Sequence, residues 1–125
     1  MGAPHILLVD DEVLAIMALE QLLIDEGFRV TTAFDGKEAL DLWGQDRFDA
    51  LVTDIRMPVM TGDELARRVR GEKPGLPVVI ASGYATGDVT QRLRATIPEP
   101  LAVLAKPIRV EDVVGALKRM LPAGQ

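Results

Sequence analysis

No cysteine occurs in the 125 residues of this chain, which excludes disulfide staples and thiolate chemistry and leaves nothing to speak for an oxidising compartment. No apolar run approaches the length of a membrane span, and the N-terminus lacks a charged segment followed by an apolar one of the kind that directs export. A soluble, cytoplasmic chain with no membrane partner is expected. Clusters of basic residues are missing as well. Fourteen Lys and Arg stand against 19 Asp and Glu, for a formal net charge of -5, and the cations are scattered along the chain. Direct nucleic-acid binding is therefore not expected, because a phosphate-binding surface needs its Lys and Arg gathered together. Repeats and low-complexity tracts are absent too. With 48% hydrophobic and 26% charged residues, the composition suits one globular domain over residues 1–125 with a real core.

Short apolar runs at Ile6 to Val9, Phe28 to Ala33, Phe48 to Thr53, Val78 to Ser82 and Leu101 to Ala105 show no clean alternation. Strands covered on both faces read this way. Segments of helical period separate them. Leu14 to Glu26 is closed by Gly27, and Asp35 with Glu38 forms a capping-box pattern ahead of Ala39, Leu40 and Trp43. Thr61 with Glu64 repeats that pattern before Leu65 and Val69, Thr86 can cap a fourth helix, and Val110, Val113, Val114, Leu117 and Leu121 mark a fifth that Pro122 stops. Strict alternation of strand and helix predicts an α/β fold, a doubly wound parallel sheet with helices on both faces. Ligands then belong at the carboxyl ends of the strands.

That edge collects the residues of interest. Asp10 and Asp11 end the first strand, Asp54 follows the third, Ser82 ends the fourth and Lys106 follows the fifth. If these strands are neighbours, three carboxylates, a hydroxyl and an ammonium converge on one crevice. Adjacent acids repel one another and are costly to desolvate, so a cation or open solvent must compensate them. Three carboxylates suit a hard cation such as Mg²⁺, which prefers phosphate among its remaining ligands, and lysine supplies a compact positive charge for that phosphate. Taken singly, each feature has an ordinary reading as a solvated strand end or a surface lysine; the constellation favours a site. His5, at the frayed start of the first strand, reads as structural or solvated, Trp43 as core, and the pairs Arg67 with Arg68 and Lys118 with Arg119 as solvated helix faces.

Through "VDDE", "TDIRMPVMTG", "ASG" and "AKP" the chain resembles the response-regulator receiver domain of two-component signalling, over nearly its whole length. The resemblance implies a flavodoxin-like five-stranded sheet in the order 2-1-3-4-5 with five helices. It implies Asp54 as phosphoacceptor, with Asp10 and Asp11 holding Mg²⁺, Asp11 directly and Asp10 chiefly through water, and the Arg56 backbone carbonyl completing the protein's share. Ser82 matches the switch hydroxyl, and Lys106 the phosphate-binding lysine, followed by Pro107 in a cis bond. Met57, Pro58 and Gly62 fit the loop after the acceptor. The implied partner is a histidine kinase or histidine phosphotransfer protein, with a homodimer on activation among the outcomes the resemblance allows. Such a module is not a turnover enzyme, although it catalyses its own phosphorylation and slow dephosphorylation.

Three departures bear on output. Val103 stands where the family usually has Tyr or Phe, Ser82 replaces the commoner Thr and is followed by Gly83 and Tyr84, and Pro98 and Pro100 stand where relatives carry a Gly-Ala turn. Tyr84 is a candidate substitute for the missing aromatic and, with Arg56, for an obstruction to the water that would hydrolyse an aspartyl phosphate. The pattern looks like receivers of hybrid kinases and of stand-alone regulators. Alternatives are a phosphate sink, a docking module without phosphorylation, and an aspartyl-phosphate hydrolase of the haloacid-dehalogenase kind. The last requires a second Asp two residues after the nucleophile, where this chain has Arg56.

Overall fold

The computed structural model describes residues 2–83 and 86–122. Five strands, β1 (His5–Val9), β2 (Arg29–Ala33), β3 (Ala50–Asp54), β4 (Val78–Ser82) and β5 (Leu101–Ala105), alternate with five helices. The helices are α1 (Val13–Asp25), α2 (Gly36–Trp43), α3 (Gly62–Glu72), α4 (Gly87–Thr96) and α5 (Val110–Met120). The strands form one parallel sheet in the order β2-β1-β3-β4-β5, the order expected. Phe28 and Phe48 are buried but precede their strands, and β3 extends through Asp54.

Every residue of β1, β3 and β4 is buried, whereas the edge strands β2 and β5 are partly open. This is why the central strands carry unbroken apolar runs: helices cover both faces. Alternate residues feed two separate cores. Leu7, Val9, Leu51, Val78 and Ile80 pack with Ala39, Leu65, Val69 and Leu93 from α2, α3 and α4. Ile6, Leu8, Val52 and Val79 pack on the opposite face with Ile16 and Leu23 of α1 and Val113 and Leu117 of α5. Trp43 lies at the margin of the first core, half-buried, stacked on Phe48 at 6.0 Å and donating to Glu72 at 3.1 Å.

The helix starts obey the capping chemistry in their first half. Asp35, Thr61 and Thr86 accept from the backbone N–H groups of Glu38, Glu64 and Val89. The reciprocal half differs. The Glu38 carboxylate takes the Phe34 N–H at 2.7 Å, and Glu64 pairs with Arg68 instead. Gly27, at φ 99°, ends the turn after α1 in a conformation that favours glycine.

His5 corrects one expectation. It is 5% exposed, its ring tilted at 37° against that of Phe48 with centroids 4.5 Å apart, with Nδ1 2.9 Å from the Arg47 carbonyl and Nε2 2.7 Å from the Thr31 hydroxyl. Its backbone is also bound on both sides, with the N–H donating to the Asp49 carboxylate and the carbonyl accepting from the Asp49 N–H. The start of β1 is thus pinned rather than frayed. The rebuilt approach to β5 is likewise pinned. Arg70 donates to the carbonyls of Leu76, Pro98 and Pro100, and the Glu99–Pro100 bond is cis.

Candidate functional site

Parallel pairing puts the carboxyl ends of β1, β3, β4 and β5 side by side, and short backbone bonds carry that alignment past the strands. Asp10 donates its N–H to Ala33, Ile55 to Ala81 and Lys106 to Ser82. One carboxylate oxygen each from Asp10, Asp11 and Asp54 then lies within 4.8 Å of the others. Asp54 is 7% exposed, and its Oδ1 receives the Lys106 ammonium at 3.1 Å. Asp11 is exposed, while Asp10 is half-buried and accepts the Glu12 N–H at 3.0 Å.

The electrostatics follow from this crowding. Burial raises the Asp10 carboxyl above the usual carboxylate value, and the charges of Asp54 and Asp11 add to the rise against the opposing pull of the Glu12 N–H and Lys106. Burial acts to lower the Lys106 ammonium, but the hydrogen bond and charge of Asp54, with Asp10 and Glu12, outweigh it and raise its pKa above that of ordinary lysine. Lys106 is thereby held as a cation. An anionic well with the Lys106 ammonium on its wall is built to gather further positive charge or to receive an anion that brings a cation with it.

The loop after Asp54 is held by packing. The Met57 and Met60 side chains are buried in the core beneath α2 and α3, and the Thr53 hydroxyl donates to the Asp54 carbonyl at 2.9 Å. Gly62 donates to the Ile55 carbonyl at 2.8 Å, closing the loop onto the strand end. Ser82 is 3% exposed at the end of β4, and Lys106–Pro107 is cis. Arg56 is exposed two residues beyond Asp54, and Val103 is half-buried against the core shared with α3 and α4. Tyr84 lies outside the described residues. The sequence reading therefore brought Asp10, Asp11, Asp54, Ser82 and Lys106 to one edge, and they stand together there. It missed the convergence of Arg56, Arg67 and Arg92, scattered in the sequence, along one cleft beside Ser82.

Residues 6–118 match the response regulator receiver domain family. The chain is 34% identical over 117 residues to the response regulator MprA of Mycobacterium tuberculosis, covering 94% of this chain and 50% of that protein. It is 38% identical over 102 residues to a response regulator receiver protein of Anaeromyxobacter, covering 78% of this chain and 43% of that one. The chain thus spans about half the length of these relatives. Among solved structures, the chemotaxis protein CheY4 of Vibrio cholerae superposes with a TM-score of 0.87 at 31% identity, over 96% of this chain and 100% of that one. With its fold, strand order and acidic edge in agreement, the chain belongs to the response regulator receiver domain family.

Proposed function

We propose that the chain is the phosphoacceptor module of a two-component phosphorelay and that Asp54 carries the phosphoryl group. The observation that carries this reading is the Asp54 carboxylate itself, buried at the end of a central strand, ion-paired to Lys106 at 3.1 Å and crowded by Asp10 and Asp11. The donor is a phosphohistidine on a histidine kinase or phosphotransfer protein. An oxygen of Asp54 attacks phosphorus in line, the bond from phosphorus to the histidine nitrogen breaks, and the imidazole leaves with that electron pair and takes up a proton. Lys106 holds a transferring phosphoryl oxygen, and the Ser82 hydroxyl donates to another once it is in place.

The donor set fits Mg²⁺: three carboxylates with oxygens in one small volume are hard ligands, and the Arg56 backbone carbonyl follows two residues after Asp54. When bound there, the ion supplies charge neutralisation for the acidic cluster and the incoming phosphate. Phosphorylation replaces the single negative charge of the Asp54 carboxylate with a phosphoryl group carrying roughly -1.5 to -2 charges and three acceptor oxygens, which draws Ser82 inward and changes the surface offered to a downstream protein. The module acts in the cytoplasm as one domain, and its slow self-dephosphorylation is governed in part by Arg56. Intact-mass measurement after incubation with acetyl phosphate and Mg²⁺ tests the reading. One phosphoryl group, removed by hydroxylamine and absent in Asp54→Asn, is expected; full labelling of Asp54→Asn would overturn the assignment.

A further inference from the structure

Beside Ser82, a cleft of about 440 Å³ opens between α3 and α4, reaching the loop after β3 at Ile55 and Arg56. Its apolar surface comes from Ile55, Val89 and Leu93. Among the described residues its charge comes from three guanidiniums, Arg56 on the loop after β3, Arg67 on α3 and Arg92 on α4, and the carboxylate of Asp63. We propose that this cleft binds a small phosphomonoester with a flat apolar body, separately from the acidic cluster.

Charge selects the ligand class. Among the described residues the lining carries three guanidiniums and one carboxylate, a positive balance in a chain whose net charge is -5. A phosphomonoester carries roughly -1.5 to -2 charges at neutral pH and offers three acceptor oxygens. Guanidinium forks bind such a group in a bidentate way that ammonium groups cannot match. Asp63 is already committed, since it pairs with Arg67 at 3.2 Å, and the same guanidinium group reaches across to the Thr96 hydroxyl at 3.3 Å. Arg67 therefore spans the two helices and closes one end of the cleft. Arg92 makes no side-chain hydrogen bond or ion pair among the described residues.

Shape selects the body. Inorganic phosphate would satisfy the arginines and leave the half-buried apolar surface of Ile55 and Val89 wet, whereas a ring system fills it. The volume lies within the roughly 300 to 1,000 Å³ of small-molecule sites, which a mononucleotide-sized compound occupies. Ser82 and Arg56 belong at once to the cleft wall and to the neighbourhood of Asp54, so an occupant would be felt at the acidic cluster.

The test uses 1-naphthyl phosphate as probe, with inorganic phosphate and 1-naphthol as its two halves, on the full chain without divalent cations. Under those conditions the acidic cluster repels phosphate. Amide NMR shifts are expected along α3 and α4 around Asp63, Arg67 and Arg92, with an affinity at least tenfold above that of either half, as contacts made together require. Arg92→Glu should weaken binding at least tenfold, while Arg109→Glu, on an exposed side chain outside the cleft, should leave it unchanged. Absence of shifts at millimolar probe, shifts confined to the acidic cluster, inorganic phosphate binding as tightly as the probe, or undiminished binding by a folded Arg92→Glu would each overturn the proposal.

Discussion

Gly62 sits so close to Asp54 that a Cβ on the glycine would stand 2.0 Å from the Asp54 carbonyl oxygen and 2.9 Å from its carbon. The obstacle is backbone, so no rotamer change relieves it, and the end of β3 itself would have to move. Gly62→Ala should cost about 3 kcal/mol and lower Tm by roughly 10 °C, because it overpacks a fixed core position. Gly71, on the same helix, faces open space. There the same replacement should be neutral or raise stability by up to about 1 kcal/mol through helix propensity. Chemical denaturation of the two variants checks the opposite signs; equal effects would refute the close-approach argument.

Val59 adopts φ 71° and is 96% exposed, and the Met60 N–H donates to the Pro58 carbonyl at 2.7 Å across it. This is a three-residue turn in a region where a β-branched residue is strained. Val59→Gly loses no packing and should gain about 0.5 to 1 kcal/mol. A lower denaturation midpoint for Val59→Gly would contradict this.

Arg70 gathers three carbonyls, those of Leu76, Pro98 and Pro100, and burial lowers its pKa below that of a free guanidinium. It remains charged, as an arginine does. Arg70→Ala leaves these acceptors without their donor and should cost about 2 to 3 kcal/mol. Arg70→Lys should recover less than half of that, since a point ammonium does not reproduce a planar fork. Urea midpoints of the two variants decide, and a fully stable lysine variant would sink the argument.

In the acidic cluster, Asp11 is exposed while Asp10 already accepts a backbone N–H and is raised by burial. Asp11→Ala should therefore weaken Mg²⁺ binding more than Asp10→Ala, as read by calorimetry. In chelator, Asp10→Asn should melt at higher temperature than the parent, because one of three crowded carboxylates is gone. Equal losses of Mg²⁺ affinity, or a lower melting point for Asp10→Asn, would count against the arrangement.

Asp63 gives a pH test. Burial acts to raise its carboxyl, yet the Thr61 hydroxyl, its own backbone N–H and Arg67 together hold it below 3.8. A depressed folded-state value stabilises the fold above the unfolded value and loses that contribution as pH falls through the folded one. Asp63→Asn should cost about 0.5 kcal/mol at neutral pH, the scale of an exposed helical ion pair. The gap from the parent should hold down to about pH 5 and close in stronger acid. A gap that widened on acidification would reverse the sign and exclude the model.

The sequence by itself determined the alternation of strands and helices, the doubly wound sheet and the edge at which Asp10, Asp11, Asp54, Ser82 and Lys106 meet. It could do so because burial on both faces demands continuous apolar runs, and helix caps are built from neighbours three residues apart. The boundaries of β4 and β5 were legible to the residue, since apolar character stops where the chain leaves the sheet. What the tertiary structure decided depends on partners far apart in the chain. His5 reads as a fraying end until Thr31 and the Arg47 carbonyl enclose its ring. Arg70 reads as a surface cation until the carbonyls near Pro98 and Pro100 surround it. Backbone acceptors leave no mark in side-chain identity, so these bonds could not be read in advance. The close approach of Gly62 to Asp54 and the gathering of Arg56, Arg67 and Arg92 along one cleft are likewise set by how α3 and α4 lie on the sheet. Helix packing depends on the fit of whole surfaces, which no local spacing in the chain encodes.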